Sequence, residues 1–501
     1  FYIPLARYFS MKWSGFRIEV FNRDINEVAY DVKCGKYKLT IASLRAWVQQ
    51  DNPVQLKSIE SLSAQREAFR KIVAPETRGD LYEADIASIV KLIIGHKLKT
   101  VPKEKPSGHD VFYMWYQFMT PGDKYKHGQI YKWCPVASRT KIFNCIRSDV
   151  SKILRKCRTF FTDKVKKMDG DEDETKMTKK LIANINKTIN RRVNNPSTNL
   201  ISNALAMMLE DPNFEDQLNK DEMTMGVGNG VLVLSNTGEK PELIESYNNY
   251  KVSLYTETDY DPSLSFDDPV VKEVLMVLRQ LHLDDETDVF EYKMMFFSSA
   301  LDNTTKEPKI ILNVGRGGGG KSVFTDLHRE VWGKEYCVHM DASLLVQSKF
   351  TRDAGAASPH IFELENARIA IYEEIAQGAI ADTRTVKHLT SGSYLTARQL
   401  FQPNVKGGIR VNCLHFVVSN DELGIIERGE AITRRFEFMP ASVVFKGRND
   451  YDPDDPSHRL KNPKYASAEF KTNPKVKSAY LFIMTFYHRK LWKYYGGKTD
   501  N

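Results

Sequence analysis

One segment constrains this chain more than any other. Lys309–Val314 (KIILNV), an apolar run of buried-strand type, passes without a gap into Gly315-Arg-Gly-Gly-Gly-Gly-Lys321-Ser322. The spacing is G-x-x-x-x-G-K-S, and strand, loop and following helix form the context that a phosphate-cradling loop requires. Glycines let consecutive backbone N–H groups turn inward around a β-phosphate, Lys321 can neutralise β and γ oxygens, and the Ser322 hydroxyl suits Mg²⁺. The helix opening near Lys321 adds the positive end of its dipole. A glycine-rich surface turn would bring neither the preceding strand nor the Lys-Ser pair. The expected fold around this loop is a parallel α/β core.

Two further apolar runs end in polar side chains. Arg368–Tyr372 (RIAIY) leads into Glu373 and Glu374. Carboxylates at the C-terminal end of a core strand are where nucleotide hydrolysis places a metal ligand and the group that orients the attacking water. Glu374 is expected to take the water and Glu373 the metal; an exposed acidic pair opening a loop is the alternative. Cys413–Val418 (CLHFVV) ends in Ser419 and Asn420, whose amide can contact a γ-phosphate, although an Asn in a turn is alone a weak signal. Farther on come Arg434 and Arg435. An arginine there can reach a neighbouring subunit's nucleotide, and pairing with a nearby Glu is the competing reading of each.

Composition sets limits around this centre. The 501 residues suffice for about three domains. The fractions, 42% hydrophobic and 27% charged, are those of a folded globular chain and exclude a disordered, collagen-like or coiled-coil one. The longest apolar candidate, Ala479–Tyr487, falls well short of the roughly 18 residues of a spanning helix and meets His488, Arg489 and Lys490, so no membrane crossing is expected. Cys34, Cys134, Cys145, Cys157, Cys337 and Cys413 form no CxxC pair, and neither a structural metal nor a disulfide is expected. The chain begins at Phe1 without Met or a leader and reads as a piece of a longer protein. A net charge of +8 permits nucleic acid as a partner without requiring it.

Residues 1–79 read as a small mixed α/β segment, with strand-like runs at Phe16–Phe21 and Tyr37–Ile41 and a helical stretch at Ser63–Val73. From Leu81 a helical pattern leads through a loop at 101–107 to an aromatic hairpin around Val111–Phe118 and Trp133. Arg139–Lys167 carries ten basic residues against two acidic ones, an excess as large as that of the whole chain. It reads either as the solvated face of an amphipathic helix or as a phosphate contact. Asp169–Glu174 (DGDEDE) reads as an exposed loop before a second basic helix, Thr178–Val193. A small β unit is expected within 223–260, and helical periodicity returns after Pro262.

The order of these motifs resembles motifs A, B, B′, C and the arginine finger of superfamily 3 helicases, with Lys387–Phe401 (KHLTSGSYLTARQLF) in the B′ place. More narrowly, the chain resembles the primase-helicases of nucleocytoplasmic large DNA viruses, of the poxvirus and asfarvirus type. The likeness is specific over Lys309–Phe436 and looser over residues 80–308. Glu373 stands where poxvirus members often have a small residue, and the loop is richer in glycine than usual.

The resemblance implies an α/β fold with a P-loop AAA+ superfamily 3 helicase core at 266–440. Around it lie a mainly helical collar with a small β unit at 80–265 and a C-terminal helical lid at 441–501. It implies ATP and Mg²⁺, held by Gly315, Gly317, Gly318, Gly319, Gly320, Lys321 and Ser322, with Ser322 and Glu373 on the metal. Catalytic roles fall to Lys321, Glu373, Glu374, Asn420, Arg434 and Arg435. It further implies a ring homo-oligomer, a hexamer, moving 3′ to 5′ on single-stranded DNA. A channel hairpin over Ala397–Arg410 would offer Lys406, with Arg398 and Lys387 as further DNA contacts. The implied partners are single-stranded and forked DNA, copies of the same chain, an upstream primase domain of the same polypeptide and viral replication proteins, in the host cytoplasm or nucleus. Two other classes stay open: a different P-loop ATPase, such as a packaging motor or nucleotide kinase, and a nucleic-acid-binding scaffold whose ATPase is a switch.

Overall fold

The computed structural model describes residues 32–34, 37–39, 64–74, 79–104, 111–119, 132–136, 138–166, 172–193, 198–244, 250–283, 287–347, 359–392, 394–395, 409–427 and 429–499. The chain divides into two compact units, Phe1–Gln117 with Pro135–Phe214 and Phe118–Cys134 with Glu215–Asn501.

The first unit is mainly helical. Helices Glu83–Ile94, Ser151–Lys166, Glu172–Thr188 and Thr198–Met208 pool Ile86, Ile89, Val90, Leu154, Cys157, Ile185 and Leu205 in one core. Two expectations change here. Leu98–Glu104 is a strand, antiparallel to Val111–Met119, where a loop was expected over 101–107. Pro102 fits because this strand lies at the sheet edge, where a missing N–H costs no ladder bond. Of the acidic run, Glu172, Asp173 and Glu174 form the first turn of the second basic helix instead of a loop, and residues 169–171 lie outside the described residues. Negative side chains there meet the positive end of the helix dipole.

The second unit is built on a parallel sheet of five strands: β1 (Ile310–Val314), β2 (Cys337–Asp341), β3 (Ile369–Glu373), β4 (Leu414–Ser419) and β5 (Phe436–Phe438). Their spatial order is β2-β3-β4-β1-β5, every pair parallel. Near-continuous apolar runs in β1, β3 and β4 follow from this, since a parallel sheet is buried on both faces. Around it pack α1 (Pro269–Arg279), α2 (Thr287–Ser298), α3 (Lys321–Tyr336), α4 (Thr383–Leu389) and α5 (Pro474–Tyr495).

The apolar run of α5 is its core face: Ala479, Tyr480, Leu481, Ile483, Met484 and Leu491 are buried against α1, α2 and α3. Among the described residues no helix is long and apolar enough to cross a membrane. A buried polar cluster fastens α5. Asp302 lies 2.9 Å from His488 Nε2, accepts from Trp492 Nε1 at 3.0 Å and pairs with Lys306 at 2.9 Å. Burial opposes its charge, but Lys306 and His488 hold the carboxyl well below the usual carboxylate range. Removing one member of such a buried set leaves the others uncompensated.

Candidate nucleotide site

The register of three strands assembles the site. Glu373 of β3 is level with Val418 of β4, and Ser419 of β4 is level with Val314 of β1. Gly315, Asn420 and Glu374 therefore leave the sheet side by side. Because β4 lies between β1 and β3, Asn420 stands between the glycine loop and the acidic pair. Backbone bonds fix both flanks: the Gly315 N–H donates to Ser419 O at 3.3 Å, and the Glu374 N–H to Val418 O at 3.1 Å.

At the head of α3, Lys321 Nζ donates to the carbonyls of Gly315 (2.5 Å) and Arg316 (3.1 Å) and to Asn420 Oδ1 (3.0 Å). Partial burial lowers the pKa of this ammonium. Ser322 is exposed in the first turn of the helix. Gly318 (φ +85°) and Gly320 (φ +74°) hold left-handed conformations that side chains resist.

The two motif glycines, Gly315 and Gly320, are also closely packed. The segment after β5 runs back over the loop: the Ala441 N–H donates to Val314 O and the Phe445 N–H to Gly318 O, each at 2.9 Å. A Cβ on Gly315 would stand 2.6 Å from Ala441 Cβ; one on Gly320 would stand 2.5 Å from Leu281 Cδ2 and 2.9 Å from the Phe445 ring. At Gly317 nothing lies within 4 Å.

Glu374 is exposed and holds φ +62°, one of two non-glycine residues with positive φ among those described. Such a conformation costs on the order of 1–2 kcal/mol and concentrates at functional sites. Glu373 is partly buried, with Oε2 3.6 Å from His339 Nδ1, and is level with Asp341 of β2. Among the described residues no group of three or more His, Cys, Asp or Glu could hold a metal unaided. Ser322 and Glu373 suit Mg²⁺ only in company with phosphate oxygens, the usual mode for that ion.

The two arginines lie at the other end of the sheet. Phe436 is level with Ile310 at the start of β1, and the Ile310 N–H donates to Arg435 O at 2.7 Å. The five residues of β1, about 16 Å of strand, separate them from this chain's own loop. Arg435 donates from Nε to Thr390 Oγ1 at 3.0 Å and also bonds Ala431 O, whereas Arg434 is exposed. Of the three DNA contacts expected, Lys387 sits on α4 and is ion-paired with Glu427 at 2.6 Å. Tyr394–Leu395 pairs antiparallel with Ile409–Arg410; of the hairpin expected over Ala397–Arg410, only these last two residues are described. Arg398 and Lys406 lie outside the described residues.

No family model matches the chain. It is 23% identical, over an alignment of 507 residues, to the African swine fever virus protein named "Putative primase C962R", covering 99% of this chain and 50% of that protein. It is 25% identical over 418 residues to "Putative helicase L207/L206" of Acanthamoeba polyphaga mimivirus, covering 81% of this chain and 39% of that one. The chain spans about half the length of the curated African swine fever virus relatives it matches. Among solved structures, the apo C-terminal region of NrS-1 aligns with 53% of this chain and 66% of its own, at 15% identity and a TM-score of 0.30.

Proposed function

We propose that this chain, a relative of putative primases and helicases of large DNA viruses, is the ATP-driven motor part of a viral primase-helicase, with a P-loop AAA+ superfamily 3 core. The observation that carries this reading is the single sheet edge on which Lys321, Asn420 and Glu374 meet. Lys321 would exchange loop carbonyls for phosphate oxygens, the Asn420 amide would contact the γ-phosphate, and Glu374 would orient the attacking water. Mg²⁺, held by Ser322 with Glu373, would supply neutralising charge at the β and γ oxygens.

Arg434, exposed and remote from its own loop, suits action in trans, as a ring homo-oligomer such as a hexamer provides. Asn420 directly follows β4, and a short connection joins the start of β4 to Ile409–Arg410 of the hairpin stem. Loss of the γ-phosphate would thus be passed along β4 to the hairpin that bears Lys406. Forked DNA and a primase domain of the same polypeptide are the partners this reading carries, at viral replication sites in the host cell.

The test is ATP-driven strand displacement on duplexes with a 3′ or a 5′ single-stranded tail, wild type against Lys321→Ala. Displacement by wild type alone, on the 3′-tailed substrate, is the expected result. Hydrolysis without displacement on either substrate would instead favour a DNA-stimulated packaging motor or switch.

A further inference from the structure

The first unit carries a surface that the nucleotide site does not use. Helix Ser151–Lys166 buries Ile153, Leu154 and Cys157 and leaves Lys152, Arg155, Lys156 and Phe160 exposed. Residues 152, 156 and 160 are four apart and so form one stripe, with about 5–6 Å between successive Cβ atoms. Phe160 is 57% exposed, although burying its ring would stabilise the fold. It is nevertheless held in place, edge-on to Phe69 at 5.6 Å and to Phe161 at 5.2 Å between ring centroids.

Phe69 belongs to a helix over 64–73 whose exposed residues include Arg66 and Arg70. A fixed, solvent-facing ring therefore shares its stripe with Lys152 and Lys156, Arg155 is exposed on the same helix, and the helix that carries its neighbour Phe69 exposes Arg66 and Arg70. The acidic neighbours are Glu67, 3.5 Å from Arg70, and Asp149, 3.4 Å from Lys152; Asp163 is taken by Lys166 at 3.3 Å. Exposed pairs of this kind contribute little and exchange readily for a phosphate.

Cations spaced along a helix can follow a phosphate backbone, and they would serve a duplex or a single strand alike. The ring decides between them. A duplex keeps its bases stacked inside, whereas a single strand can lay a base on an aromatic face. We propose that this face is a platform for single-stranded nucleic acid, with phosphates on Lys152, Arg155, Lys156 and Arg66 and one base on Phe160. It would hold the strand independently of the nucleotide loop.

The test uses the full chain without ATP and measures Kd for a labelled oligo(dT) and for a blunt duplex of equal length, at low and moderate salt. Lys152→Gln/Arg155→Gln/Lys156→Gln should weaken oligo(dT) binding at least about tenfold and reduce its salt slope by about 2, at roughly 0.7 per single-strand phosphate. Phe160→Ala should weaken oligo(dT) about 5- to 20-fold with duplex binding unchanged, and Phe160→Trp should restore it. ATP hydrolysis without nucleic acid should stay at the wild-type rate in all three. The proposal fails if the triple variant keeps its affinity and salt slope. It fails equally if Phe160→Ala loses duplex and oligo(dT) alike, or if it shifts the oligomeric mass while binding stays intact, which would make the face a contact between copies of this chain.

Discussion

Lys321 and Asn420 are hydrogen-bonded, Nζ to Oδ1, at 3.0 Å across the gap between the glycine loop and the end of β4. With Gly315 O and Arg316 O as its other acceptors, the ammonium has all three donors directed at protein. The loop and the adjacent strand end thus share one cation. Asn420→Ala should leave ATP affinity within about threefold and cut hydrolysis about 10²-fold, the size expected for one lost transition-state donor. Lys321→Ala should lose both. Nucleotide-binding fluorescence beside phosphate release separates the two, and a matched loss of affinity in Asn420→Ala would deny it a role specific to hydrolysis.

The glycines are not equivalent. Gly317 is open on all sides, whereas Gly320 faces Leu281 and Phe445 and holds a positive φ. Gly317→Ala should bind ATP nearly as wild type. Gly320→Ala should displace the 441–445 strap or the loop and lower ATP affinity at least about tenfold. Equal behaviour of the two variants would mean that the strap does not shape the loop.

Arg434 and Arg435 should separate by kind of defect. Arg435 is bonded to Thr390 and Ala431, so Arg435→Ala should lower the unfolding midpoint by an amount matching about 1–2 kcal/mol. Arg434→Ala should unfold as wild type, be inactive alone, and depress activity when mixed with wild-type chains. Mixtures whose activity falls only in proportion to the variant fraction would remove it from action in trans.

Three buried histidines make stability depend on pH. Burial, with Lys293 adding to it, pushes His282 and His328 down to about 3, and burial pushes His415 down to about 4. Unfolded, each titrates near 6.5, at about the usual value. Between about pH 6.5 and 4 the unfolded chain therefore binds more protons than the folded one. Stability should fall as pH drops through that window, by up to about 1.4 kcal/mol per pH unit for each residue. Urea midpoints should be flat above about pH 7 and decline steeply below about 6; a flat profile to pH 5 would show that these rings are protonated in the fold.

What could be read from the sequence was what the chemistry keeps local. The glycine loop, Glu373-Glu374 and Asn420 each follow an apolar run directly, because a strand end is where a buried element first meets solvent. The interposition of β4 between β1 and β3 is a property of pairing and left no mark in spacing. The same holds for Asp302 with His488, joined from distant parts of the chain. Pro102 and the acids at 172–174 misled because edge position and helix polarity, rather than composition, decide what such residues do.

The most direct measurement is a single-turnover comparison of wild type, Glu373→Gln and Glu374→Gln, following ATP binding and cleavage separately. Glu374→Gln should bind ATP with wild-type affinity and cleave it at least about 10²-fold more slowly, while Glu373→Gln should lose its response to Mg²⁺ concentration first. Cleavage by Glu374→Gln within a few-fold of wild type would contradict the assignment of this sheet edge as the hydrolytic site.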